Sequence, residues 1–120
     1  MLFYSKLKYY LEVLPMTIMQ GDAYNLPVDI LNEENIAVTP ADVADVEISI
    51  GSLRKTYAAG DIIYNADTGK WIFPLTQEET FKMLPRRVKV QIRVKWFDGS
   101  VEGTDLGYKN ILESMSKEVL

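Results

Sequence analysis

Val88, Val90, Ile92, Val94 and Trp96 alternate with Lys89, Gln91, Arg93 and Lys95, and Asp98-Gly99 follows directly. A period of two puts the apolar side chains on one face and the charged ones on the other. That predicts a half-buried β-strand closed by a hairpin turn. The same alternation recurs upstream. Tyr24, Leu26, Val28 and Ile30 alternate with Asn25, Pro27 and Asp29, and Pro27, which donates no ladder bond, predicts an edge strand. Val46 to Ile50 alternates again, and in Lys70 to Leu75 the residues Trp71, Phe73 and Leu75 share a face. Shorter strands are expected over Met16–Gln20, Ile36–Val38, Leu53–Tyr57 and Ile62–Tyr64, with a weak strand signal over Lys109–Leu120.

Punctuation between these runs is dense. Gly21-Asp22, Asn32-Glu33-Glu34-Asn35, Gly51-Ser52, Ala58-Ala59-Gly60-Asp61 and Asn65-Ala66-Asp67-Thr68-Gly69 have the composition of turns. Two segments resemble helix starts. Thr39-Pro40-Ala41-Asp42 offers a threonine cap, a proline at the first helical position and an acid three residues after the cap. Thr76-Gln77-Glu78-Glu79 is a second capping box, stopped by Pro85. Seven to eight strands with one or two single-turn helices predict an all-β, antiparallel sandwich, a small barrel being the alternative closure. The segment Met1 to Pro15, rich in tyrosine, reads as an N-terminal arm or extra strand, and residues 16–120 as a single β-sandwich domain.

Composition narrows the chemistry. At 120 residues, 48% hydrophobic and 25% charged, the chain suits one folded domain. It has no cysteine and no histidine. Disulfides, thiolate metal sites and cysteine nucleophiles are thereby excluded, as are the commonest general base and the commonest transition-metal ligand. A net charge of −4 argues against a dedicated nucleic-acid binder. No stretch reaches the length of a membrane span, and the N-terminus lacks the continuous apolar core of a secretion signal. A cytoplasmic site of synthesis follows as the expectation, with neither membrane nor nucleic acid as partner.

Candidate sites are few. Lys89, Arg93 and Lys95, with Arg86 and Arg87 before them, form a basic row that reads best as a solvated strand face. Aromatic side chains that would stack bases are not interleaved there, and only Phe97 lies near. Trp71 and Trp96 have the chemistry of sugar-stacking platforms, yet both fall in phase with apolar neighbours and belong in a core. Asp22, Asp61, Asp98 and Asp105 adjoin glycines or loops without the spacing of a calcium loop, and they read as turn residues. No serine has a histidine to activate it, and no glycine-rich phosphate loop is present. The expectation is a non-enzyme with no catalytic, cofactor-binding or metal residues. A carbohydrate-binding sandwich is the alternative reading.

Three segments carry a resemblance: Met16-Thr17-Ile18-Met19-Gln20-Gly21-Asp22, then Phe73-Pro74-Leu75-Thr76-Gln77-Glu78-Glu79-Thr80-Phe81, then Val90 through Gly99 with Ser116-Lys117-Glu118-Val119-Leu120. Together they resemble small prophage-encoded structural proteins of Firmicutes. More loosely, they are similar to the immunoglobulin-like N-terminal domain of phage baseplate upper proteins. The resemblance implies an immunoglobulin-like topology and a structural role in a tail or baseplate. It also implies a virion-associated position, and partners among other phage structural proteins and further copies of the chain. A baseplate upper protein carries a long C-terminal extension, whereas this sequence ends at Leu120.

Overall fold

A computed structural model describes residues 17–120 and the strand 7–9. Among them are ten strands: β1 (Leu7–Tyr9), β2 (Thr17–Met19), β3 (Tyr24–Val28), β4 (Leu31–Asn32), β5 (Val43–Ile50), β6 (Leu53–Thr56), β7 (Ile63–Asn65), β8 (Lys70–Leu75), β9 (Arg87–Trp96) and β10 (Val101–Leu112). The one helix there, α1, spans Gln77–Phe81. The larger sheet has the order β2-β10-β9-β5-β6 and the smaller the order β3-β8-β7, while β1 pairs with β4. The strand β9, read from its alternation, is the middle strand of the larger sheet.

Two inner faces make one core, a sandwich-like arrangement. Ile18, Val46, Ile48, Ile50, Val90, Ile92, Val94, Trp96 and Ile111 come from the larger sheet, and Leu26, Val28, Trp71, Phe73 and Leu75 from the smaller. Each fully buried large side chain contributes about 1.5–3 kcal/mol. The chain changes sheets repeatedly, between β2 and β3, β6 and β7, and β8 and β9. Apolar faces from distant parts of the sequence therefore meet. Trp71 sits where they close: it is fully buried, its indole N–H donates to the Val38 carbonyl at 3.0 Å, and the Tyr57 ring meets it edge-on at 5.2 Å.

Several expectations are met in detail. Pro27 lies in β3, an edge strand of its sheet. Gly51-Ser52 closes the β5–β6 hairpin between Ile50 and Leu53, with Gly51 at φ 59°. Thr76 caps α1 in a reciprocal box: the Glu79 N–H donates to Thr76 Oγ1 at 3.2 Å and the Thr76 N–H to Glu79 Oε1 at 2.9 Å. The helix end then docks on the β2–β3 turn. Gly21 has φ +93°, and a Cβ there would sit 2.8 Å from the Phe81 ring, so the turn and the aromatic contact both require glycine.

Other expectations are corrected. The segment Thr39–Asp42 forms a turn instead of a second helix. Its cap bonds exist, with the Thr39 N–H donating to Asp42 Oδ2 at 2.9 Å, but β5 begins at the next residue and extends the chain. The strands number ten among the described residues, more than the seven to eight expected, because β1 and β4 form an additional short ribbon. The C-terminal strand ends at Leu112 instead of running to Leu120, and it begins at Val101, well before the expected Lys109. Nor is the sandwich wholly antiparallel, since β2 lies parallel to Asn110–Leu112 of β10. Of the arm expected over residues 1–15, Leu7–Tyr9 pairs with Leu31–Asn32; its other residues, and Met16, lie outside the described residues.

Candidate interaction face

The larger sheet turns its second face to solvent. β9 supplies Arg87, Lys89, Gln91, Arg93 and Lys95 to it, all exposed as the alternation requires. Their ladder neighbours on β5 are Glu47 opposite Arg93 and Asp45 opposite Lys95. On β10 they are Gly103 opposite Arg93, Asp105 opposite Gln91 and Tyr108 opposite Lys89. The basic row is thus interleaved with acids brought from other strands, an arrangement of cross-strand pairs.

Glu47 is the hub of this ladder. Its carboxylate accepts from Arg93 Nε at 2.6 Å and also from Arg54 Nε. The Arg93 hydrogen bond, reinforced by Arg54, holds the Glu47 carboxyl below its ordinary range, although burial works the other way. Gly103 makes room for Arg93, since a Cβ there would lie 2.9 Å from Arg93 Cγ. Farther along, Asp105 accepts from Gln91 Nε2 at 2.8 Å and sits 3.6 Å from Lys89 Nζ.

The face changes character towards the start of β9. The Arg87 guanidinium lies over the Tyr108 ring at 4.3 Å, with Lys89 Nζ at 5.9 Å from the same centroid. Farther along the same face, beyond Asn110, Leu112 and Met19 are ladder partners and stand side by side, each more than two-fifths exposed. Cation and aromatic ring thus stand on the same outward face as the apolar pair, with Asn110, opposite Arg87, between Tyr108 and Leu112. Tyr108 is the residue that sequence reasoning missed. The stretch around it lacks a clean alternation because Gly103 and Gly107 interrupt it and a bulge between Asp105 and Gly107 shifts the period.

The remaining singled-out residues serve the framework. Trp71 and Trp96 are buried, and the Trp96 indole donates to Glu102 Oε1 at 2.7 Å, so neither ring is a sugar platform. Asp22 Oδ2 accepts from the Met19 N–H, and Asp98 Oδ1 accepts from the Ser100 hydroxyl and N–H, each organising its own turn. The Ser100 hydroxyl accordingly holds the Asp98 carboxyl below its ordinary range. Asp45 Oδ1 accepts from the Val46 and Ala58 N–H groups and ties a loop to β5. Asp61 is exposed in that loop. Among the described residues no group of three or more acids is placed to hold a metal ion, and no helix is long and apolar enough to cross a membrane. No protein-family model matches the chain, and no curated protein matches it.

Proposed function

We propose that this chain is a non-catalytic structural module of a phage or prophage particle, an immunoglobulin-like domain of tail or baseplate type that works through protein–protein contacts. The observation that carries the reading is the uncovered face of the larger sheet. It is broad and open, and it combines Arg87, Tyr108, Met19 and Leu112 in one patch. Arginine and aromatic side chains beside apolar area are the mixture that protein interfaces favour. The carboxylates on that face are all engaged: Glu47 with Arg54 and Arg93, Asp105 with Lys89 and Gln91, and Asp45, which shares a shallow hollow with Glu47, with the Val46 and Ala58 N–H groups. The resemblance of the Met16–Asp22, Phe73–Phe81 and Val90–Gly99 segments to prophage structural proteins supplies the biological setting. The chain is then made in the cytoplasm and joins a virion, its partners being other structural proteins of the particle.

Mass spectrometry of density-purified particles, induced from the strain that carries the gene, tests this reading. Peptides of the chain co-purifying with the tail fraction at a fixed stoichiometry are expected. Their absence from purified particles would contradict it.

A further inference from the structure

One end of the sandwich is uniformly acidic in its connections. That end is built by the hairpin tip at 33–35, the turns at 39–42, 66–69 and 97–100, and the loop at 57–62. The Trp71 indole bond to Val38, the Tyr57–Trp71 contact and the Ala58–Asp45 bond draw these connections together. They contain Glu33, Glu34, Asp42, Asp61, Asp67 and Asp98, and no lysine or arginine. Asp42 and Asp98 are occupied within their own turns. Glu33 and Glu34 have no ion-pair partner among the described residues, and Ile36 beside them is 57% exposed. The tip is held in shape by Asn32, whose Oδ1 accepts from the Glu34 N–H at 2.8 Å and the Ile36 N–H at 3.1 Å. A pre-shaped acidic tip with an apolar residue beside it is therefore on display.

The outward patch near the opposite end has the complementary make-up. Arg87 is stacked on Tyr108 and has no carboxylate partner among the described residues; Lys89 shares the ring and is only loosely tied to Asp105. Met19 and Leu112 supply apolar area alongside.

We propose that copies of this chain associate head to tail, the Glu33-Glu34-Asn35-Ile36 tip of one seated on the Arg87–Lys89–Tyr108 patch of the next. The proposal rests on the reading of the chain as a protein-contact module and names a second copy as the partner. Charge selects this arrangement. At a net charge of −4 two copies repel on average, so only contacts that set unlike patches together bring them into register. A twofold contact of either patch with itself would place like charges opposite each other. In the head-to-tail arrangement the contact is heterologous and repeats from copy to copy, closing a ring or extending a filament. Ile36 packs beside the Tyr108 ring, while the two glutamates meet Arg87 and Lys89.

The test is sedimentation velocity of the full chain across a concentration series at low and high salt, with two charge-reversed variants, E33K/E34K and R87E/K89E. All four positions are exposed, so both variants keep the wild-type circular dichroism. Wild type is expected to gain mass with concentration and to lose it with salt. Each variant alone is expected to associate with a Kd weakened about tenfold or more. An equimolar mixture of the two restores assembly, because every tip then meets a patch of opposite charge. Wild-type association unchanged in both variants, or a mixture that stays apart, overturns the proposal. So does a wild type that remains monomeric at all concentrations. If that monomer still co-purifies with particles, the structural role stands and only self-assembly fails.

Discussion

Single side chains already divide the molecule into a framework and a surface. Trp71 belongs to the framework: it is fully buried and satisfies the Val38 carbonyl, so Trp71→Ala removes packing and strands an acceptor at once. A loss of about 3–5 kcal/mol is expected in chemical denaturation. A value under about 1 kcal/mol would show that the ring is not the keystone described. Both tryptophans should also resist acrylamide quenching until the protein unfolds. Glu79 shows how charge enters the framework. Burial alone would raise its carboxyl, but Lys55 and the Thr76 cap outweigh this and bring it below the ordinary glutamate range. Glu47 is lowered as well, chiefly by Arg93. For a carboxyl depressed in the folded state the stabilisation is present above the unfolded value and is lost as pH falls through the folded one. Stability should therefore decline on acidification through and below the ordinary glutamate range. The double variant E47Q/E79Q, less stable near neutrality, should show a shallower decline in thermal unfolding followed against pH. An equally steep decline would assign the acid sensitivity to other groups.

Elements were legible in the sequence wherever one physical signal dominated. The strand β9 has strict alternation, α1 has a reciprocal capping box, and β3 carries the edge-marking Pro27; each was readable at close to its observed position. The turn at Thr39–Asp42 misled because it has the same cap chemistry as α1 while Val43 and Val46 pull the chain into β5, so tertiary pairing outweighed a local preference. β10 hid for a different reason. Two glycines and a bulge break its period, so neither its length nor the outward position of Tyr108 shows in residue order. Those glycines give the prediction at this scale. Gly103→Val would bring a branched side chain onto Arg93 and within 3.3 Å of the Ile92 carbonyl, while Gly107, at φ +113°, admits other residues only under strain. Gly103→Val and Gly107→Ala are each expected to cost about 1–3 kcal/mol in urea unfolding. A neutral result at Gly103 would contradict the packing of Arg93 across it.

Across the whole molecule, one sheet face is spent on the core and the other remains open. The β2–β3 turn, α1 and the C-terminal segment are bound together by amides. Gln20 Oε1 accepts from the Ser114 N–H and Lys117 Nζ while its Nε2 donates to the Met83 carbonyl, and Gln77 links Gly21 to the Leu120 N–H. Gln20→Ala should loosen residues 113–120 without unfolding the sandwich. Hydrogen exchange would register this as lost protection confined to amides of 113–120, such as those of Ser114 and Leu120, whereas global loss would assign Gln20 to the core. The outward patch that would make the contacts owes nothing to any one segment: β2, β9 and β10 each contribute part of it, and the register between them brings Met19, Arg87 and Tyr108 together. That register is why the basic row could be read from the sequence while the patch could not. The most direct test of the contact role is co-sedimentation of the purified chain with particles lacking it, comparing wild type with Y108A/L112S on the open face and with I63S on the exposed side of β7. Binding by wild type and I63S with loss in Y108A/L112S is the expected result. Equal binding by all three, or binding lost only in I63S, would contradict the assignment of the open face of the larger sheet as the surface through which this protein works.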